Sequence, residues 1–135
     1  MVMLADSIDG VIGVDTHRDT LTAAAVTAIG GLLGHATAPT DAAGYRELLG
    51  FAAGQVPGRR CWAIEGAGSF GAGLAVFLAD HGEQLVEVPR RRRSARRYAA
   101  KSDALDAVHI ARDALVQAHP VIVRRRWDRE ALRCC

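Results

Sequence analysis

At 135 residues, half of them hydrophobic, the chain is about one domain's worth and can bury one modest core, which excludes a two-domain enzyme. Charged residues make up 24% and the net charge is only +2, so neither compositional disorder nor a polyelectrolyte describes the whole. The total hides an asymmetry: residues 1–89 carry 4 Lys+Arg against 10 Asp+Glu, residues 90–135 carry 13 against 5, and a basic final third on an acidic body points to a polyanionic partner.

Val11 to Asp15 reads as a buried strand, and Thr16-His17-Arg18-Asp19 as a turn into a second strand over Thr20 to Thr27. Gly30-Gly31 offers a hairpin turn into a third strand, Leu32 to Thr37. Thr40 is placed to cap a helix through about Ala53, with Tyr45, Leu48, Leu49 and Ala52 on one face and Gly54 as its stop. Arg60 to Glu65 returns as a strand, Ser69 to His81 as an Ala-rich helix ended by Gly82, and Gln84 to Val88 as a fifth strand closed by Pro89. A basic segment and a helix from about Ser102 to Ala118 follow. Three meandering strands and then alternating helices and strands imply an α/β fold, a mixed five-stranded sheet covered on both faces.

Four carboxylates stand out. Asp15 ends the most apolar strand, and Glu65 ends the strand Cys-Trp-Ala-Ile-Glu; strand ends are where a sheet presents side chains to a crevice. Asp103 and Asp106 are spaced i, i+3 at the start of the last helix, so both project from one face. Each has a plain local reading, as a turn-initiating Asp or as acids near helix N-termini. Their joint pattern says more. Strands one and four can be neighbours, which sets Asp15 beside Glu65, and a helix packed there brings Asp103 and Asp106 to the same place. Four converging carboxylates repel unless divalent cations neutralise them, and hard oxygen ligands suit Mg²⁺ or Mn²⁺. Two such ions roughly 3.5–4 Å apart would activate a nucleophile and stabilise a leaving oxygen in phosphodiester chemistry.

A rival signal occupies the same stretch. Gly66-Ala-Gly68-Ser-Phe-Gly71 matches the dinucleotide pattern G-x-G-x-x-G, follows a strand, opens a helix, and has Glu87 downstream. Against an NAD(P)-binding Rossmann-like module, Glu65 would face a pyrophosphate that it repels, and the motif follows a three-strand meander instead of the first strand. Arg90, Arg91, Arg92, Arg93, Arg96, Arg97 and Lys101, with Tyr98 among them, form a basic run suited to a phosphate backbone, or else a solvated loop. Of the five histidines only His17, two residues from Asp15, is a candidate for the site; His81 reads as a helix C-terminal cation, and His35, His109 and His119 show no ligand spacing. The cysteines Cys61, Cys134 and Cys135 lack metal-ligand spacing, no apolar run approaches the ~20 residues of a membrane span, and Asp6 and Asp9 precede any basic residue, which together suit a reduced cytoplasm with no membrane contact.

The pieces Val-Ile-Gly-Val-Asp15-Thr-His-Arg-Asp, Ile-Glu65-Gly-Ala-Gly-Ser-Phe-Gly, Val-Glu-Val-Pro-Arg-Arg and Lys101-Ser-Asp103-Ala-Leu-Asp106-Ala give the chain, over about residues 10–118, a resemblance to a known family. It resembles the N-terminal domain of DEDD-type insertion-sequence transposases, the IS-one-ten group, whose catalytic domain looks like that of RuvC Holliday-junction resolvases. The resemblance implies a ribonuclease-H-like fold in which Asp15, Glu65, Asp103 and Asp106 are the DEDD metal ligands for Mg²⁺ or Mn²⁺. It further implies DNA as substrate, a guide RNA from the same element, homo-oligomerisation when full length, and a nucleoid-associated cytoplasmic location. It assigns the covalent joining step to a serine in a second, C-terminal domain. Residues 1–9 are then a lead, 10–118 the RuvC-like domain and 119–135 the start of a connecting helix, cut short. The expectation is a remnant inactive in strand exchange by itself. A catalytically silent nucleic-acid-binding fragment is the remaining alternative.

Overall fold

The computed structural model describes residues 8–88, 103–116 and 121–122. Its elements run β1 (Gly10–Thr16), β2 (Thr20–Thr27), β3 (Leu32–Pro39), α1 (Ala42–Gln55), β4 (Arg60–Glu65), α2 (Ala72–Asp80), β5 (Gln84–Val88), α3 (Asp103–Leu115) and β6 (Val121–Ile122). They build one mixed sheet in the order β3-β2-β1-β4-β5-β6. The first three strands form an antiparallel meander, while β1, β4 and β5 run parallel, so the five strands expected from sequence are present in the expected α/β arrangement.

Every residue of β1 is buried, because helices cover both sheet faces and a strand buried on both sides has no polar face to show. One face packs Ile12, Val14, Trp62 and Ile64 against Leu48 and Ala52 of α1 and Leu74 and Leu78 of α2. The other packs Val11, Ala24, Cys61, Ala63 and Val86 against Ala107, Ile110, Ala111 and Ala114 of α3. At the N-terminal end of β4, Glu83 accepts a bidentate pair from Arg60, at 2.8 and 2.9 Å, and a bond from Trp62 Nε1 at 2.8 Å, satisfying the indole N–H at the edge of the core.

Several local expectations shift. Asp41, not Thr40, caps α1, its Oδ1 accepting from the Gly44 amide at 2.8 Å. Thr40 instead donates to the His17 carbonyl at 3.1 Å, tying the β1–β2 turn to the start of α1. Gly54 lies inside α1, which runs on to Gln55, and α2 starts at Ala72, three residues later than its composition suggested, because residues 66–71 are taken up by turns. Val121 and Ile122, assigned from sequence to a connecting helix, form a strand paired antiparallel with β5 through Val86↔Ile122 and Glu87↔Val121. Two β-branched residues suit a pleated edge, and the edge of β5 supplies the hydrogen-bonding partners that sequence inspection could not see.

Candidate metal and nucleic-acid site

Parallel pairing of β1 with β4 runs in register from Gly10↔Arg60 to Val14↔Ile64, which leaves Asp15 and Glu65 as the next residues of the two strands. By strand alternation Asp15 shares the face of Val11 and Gly13, and Glu65 that of Cys61 and Ala63, the face on which α3 packs. Both carboxylates are buried, each only 6% exposed, at the carboxyl ends of parallel strands.

Gly13 decides how close α3 comes. A Cβ on Gly13 would lie against the Ala107 carbonyl oxygen, 2.6 Å from the Ala111 amide nitrogen and 2.8 Å from the Ala111 Cβ. Only a residue without a side chain lets the helix backbone rest on the strand here, and the partly buried Asp106 directly precedes Ala107. Burial pushes the Asp15 carboxyl up from 3.8 to about 6; the neighbouring His17 opposes the rise, and the charges of Asp106 and then Glu65 add to it. Asp15 is therefore close enough to feel the charges of two of the other three carboxylates singled out from sequence, Asp106 and Glu65. Asp103 is the first residue of α3, and its side chain lies outside the described residues, as does the whole basic segment from Arg90 to Lys101.

His17 Nε2 stands 3.1 Å from Asp15 Oδ2, so the one histidine selected from sequence is indeed at the carboxylate. His81 instead ends α2, with Nδ1 2.8 Å from the Phe77 carbonyl oxygen, and His35 is exposed on β3. Sequence reasoning passed over Thr16. Its Oγ1 donates to the Glu65 carbonyl at 2.8 Å in a buried bond that ties the two strand ends together. The available clue was its place immediately after Asp15. Among the described residues no group of three or more His, Cys, Asp or Glu side chains is arranged to hold a metal ion.

The turn after Glu65 explains the glycine motif. Gly66 has φ +76°, a left-handed conformation that lets the chain leave β4 sharply, and its carbonyl oxygen accepts from the amides of Ser69 and Gly71 at 2.9 and 3.0 Å. At Gly71 an added Cβ would lie 2.9 Å from Ile64 Cγ2 and 3.0 Å from Thr16 Cγ2. Turn geometry and packing account for these two glycines, and the motif sits on the fourth strand behind an antiparallel meander, away from the first-strand position of a doubly wound dinucleotide fold.

A three-strand antiparallel meander continued by parallel strands, helices on both faces and acids at the ends of the two central strands define an α/β domain of the ribonuclease-H-like class. The family model for DEDD transposases of the IS110 type, described as a transposase, matches residues 12–133, and the chain belongs to that family. Transposition is accordingly the process it serves, and DNA is the partner this implies. No curated protein matches the chain closely enough to count as a relative. Among the described residues no helix is long and apolar enough to cross a membrane.

Proposed function

We propose that this domain is the metal-dependent, phosphodiester-processing part of a DNA transposase, with Asp15, Glu65, Asp103 and Asp106 as its carboxylate ligands. The observation that carries this reading is the Asp15 carboxyl, buried at a strand end and pushed up to about 6 with two further acids contributing. Such an arrangement is unfavourable for folding alone, and an all-oxygen donor set suits a hard divalent cation such as Mg²⁺ or Mn²⁺. A cation held there would supply charge neutralisation and a polarised oxygen for attack at phosphorus.

The chain's own residues divide the remaining work. Thr16 holds the Glu65 backbone to the end of β1, Gly13 lets α3 carry Asp106 in, and His17 orients the Asp15 carboxylate through Oδ2. Asp103, spaced i, i+3 from Asp106, would complete the set. The segment Arg90, Arg91, Arg92, Arg93, Arg96, Arg97 and Lys101 joins β5 to α3 and would hold the phosphate backbone beside the acids, by charge alone and without base preference. A guide RNA and a homo-oligomer belong to the same proposal. The alternative is the catalytically silent reading, in which the domain binds nucleic acid without metal.

Calorimetry separates the two. Mn²⁺ titrated into the wild-type chain should bind, and Asp15→Asn and Asp106→Asn should each weaken that binding. A wild type that takes up Mn²⁺ no better than the double variant removes the metal site and leaves the silent reading standing.

A further inference from the structure

The turn between Glu65 and α2 carries a side chain that neither the fold nor the carboxylate site uses. Of residues 66–71 all but one are Gly, Ala or Ser; the exception is Phe70, which is 47% exposed. The chain has three phenylalanines, and the other two, Phe51 and Phe77, pack against the core. Phe70 therefore leaves nearly half of its surface open to solvent, and its benzyl group has no polar end to interact with water.

The turn is held firmly. Ser69 and Gly71 donate to the Gly66 carbonyl from their amides, Ser69 Oγ donates to it as well at 3.2 Å, and the Ala72 amide donates to the Ser69 carbonyl at 3.0 Å. Gly71, directly after Phe70, packs against Thr16, the residue that follows Asp15. Two residues before Phe70, nothing lies within 4 Å of where a Gly68 Cβ would be, so this side of the turn is open. A rigid turn with one packed side and one open side thus presents an exposed aromatic within five residues of Glu65.

Without a cation the nearby acids repel phosphates, and a cation held there attracts them whatever the base, so contact with a base itself has to come from a term other than charge attraction. Base–aromatic stacking is such a term, tolerant of sequence because every base has a π-face. We infer that Phe70 is a nucleobase-binding residue, stacking on an unpaired base next to the carboxylate centre. The inference rests on the nucleic-acid reading proposed above and assigns the base contact to this turn, separate from the phosphate contacts of the basic segment.

The test compares the wild-type chain with Phe70→Trp, Phe70→Leu and Phe70→Ala. The probe is a single-stranded DNA carrying 2-aminopurine, titrated at several salt concentrations with Mg²⁺ present and with EDTA. Phe70→Leu and Phe70→Ala should weaken binding about ten-fold, equivalent to about 1.4 kcal/mol, at every salt concentration. Because the basic segment still neutralises the same phosphates, their plots of log affinity against log salt should run parallel to the wild-type plot. Phe70→Trp should keep wild-type affinity and the 2-aminopurine quenching that stacking produces, and all four proteins should melt at the same temperature. Wild-type affinity in Phe70→Leu, a changed salt slope, or a weakening that tracks a lower melting temperature each overturns the inference while leaving the nucleic-acid reading intact. A wild type with no affinity for the probe overturns that reading and the inference with it.

Discussion

Replacing Asp15 with Asn tests the electrostatics of the carboxylate cluster without touching its packing, since the two side chains are nearly isosteric. In the folded protein the Asp15 carboxyl is raised from 3.8 to about 6. A raised acid favours its protonated form in the folded state, so its effect on stability is most favourable below about pH 4 and is lost as pH rises through about 6. The rise from 3.8 to about 6, at about 1.4 kcal/mol for each tenfold change in proton affinity, sets a ceiling of about 3 kcal/mol on the wild-type loss across that window. The amide has no such titration and can still accept from His17. In urea denaturation with EDTA, Asp15→Asn should match the wild type near pH 4 and exceed it by up to about 3 kcal/mol near pH 7.5. Mn²⁺ should narrow the difference: at about 100 times its dissociation constant a ligand adds about 2.7 kcal/mol to the protein that binds it, and the variant should gain less. A metal-free variant no more stable than wild type at pH 7.5 would refute the claim that these buried acids oppose folding.

Three further substitutions probe the supports of the site. Gly13→Val places carbon atoms where the α3 backbone now lies, so the helix has to move; a melting curve should show about 1–3 kcal/mol of overpacking cost, and calorimetry a loss of Mn²⁺ affinity as Asp106 is displaced. Thr16→Val keeps the shape but removes the 2.8 Å hydrogen bond to the buried Glu65 carbonyl, which should cost about 1–2 kcal/mol in chemical denaturation. Changing Arg91, Arg92, Arg96 and Arg97 to Ala should flatten the salt dependence of DNA affinity by about one unit of slope for each phosphate no longer neutralised, and an unchanged slope would show that this segment does not hold the backbone.

Much of the architecture was legible in the linear sequence because it is written in local chemistry. The run Val-Ile-Gly-Val cannot be exposed on either side without cost, so β1 had to be a buried strand, and the polar residues that follow had to turn, although Thr16, read as part of that turn, instead ends β1. The order of strands and helices followed from such segments in succession, and the carboxylates stood out because acids at the ends of apolar strands have nowhere in a core to go. Helix ends were less legible. Thr40 and Asp41 are both competent caps, and which one served α1 depended on Thr40 having a carbonyl at His17 to bind, a contact spanning 23 residues.

What only the tertiary structure decided lies in distances between segments remote in sequence. Asp15 and Glu65 are fifty residues apart, and their adjacency exists only because β1 and β4 pair in parallel and in that register. Nothing beside Gly13 in the sequence shows why a glycine stands inside β1; its purpose becomes visible once Ala107 and Ala111 of α3, more than ninety residues later, rest on it. The shift at Asp15 likewise belongs to no local motif, because desolvation is imposed by everything packed around the carboxyl and repulsion by acids on two other elements. Periodicity and turn chemistry are properties of neighbours along the chain, whereas close approach, burial and charge coupling are properties of the folded arrangement, and they come into being only when the sheet and α3 close over the strand ends.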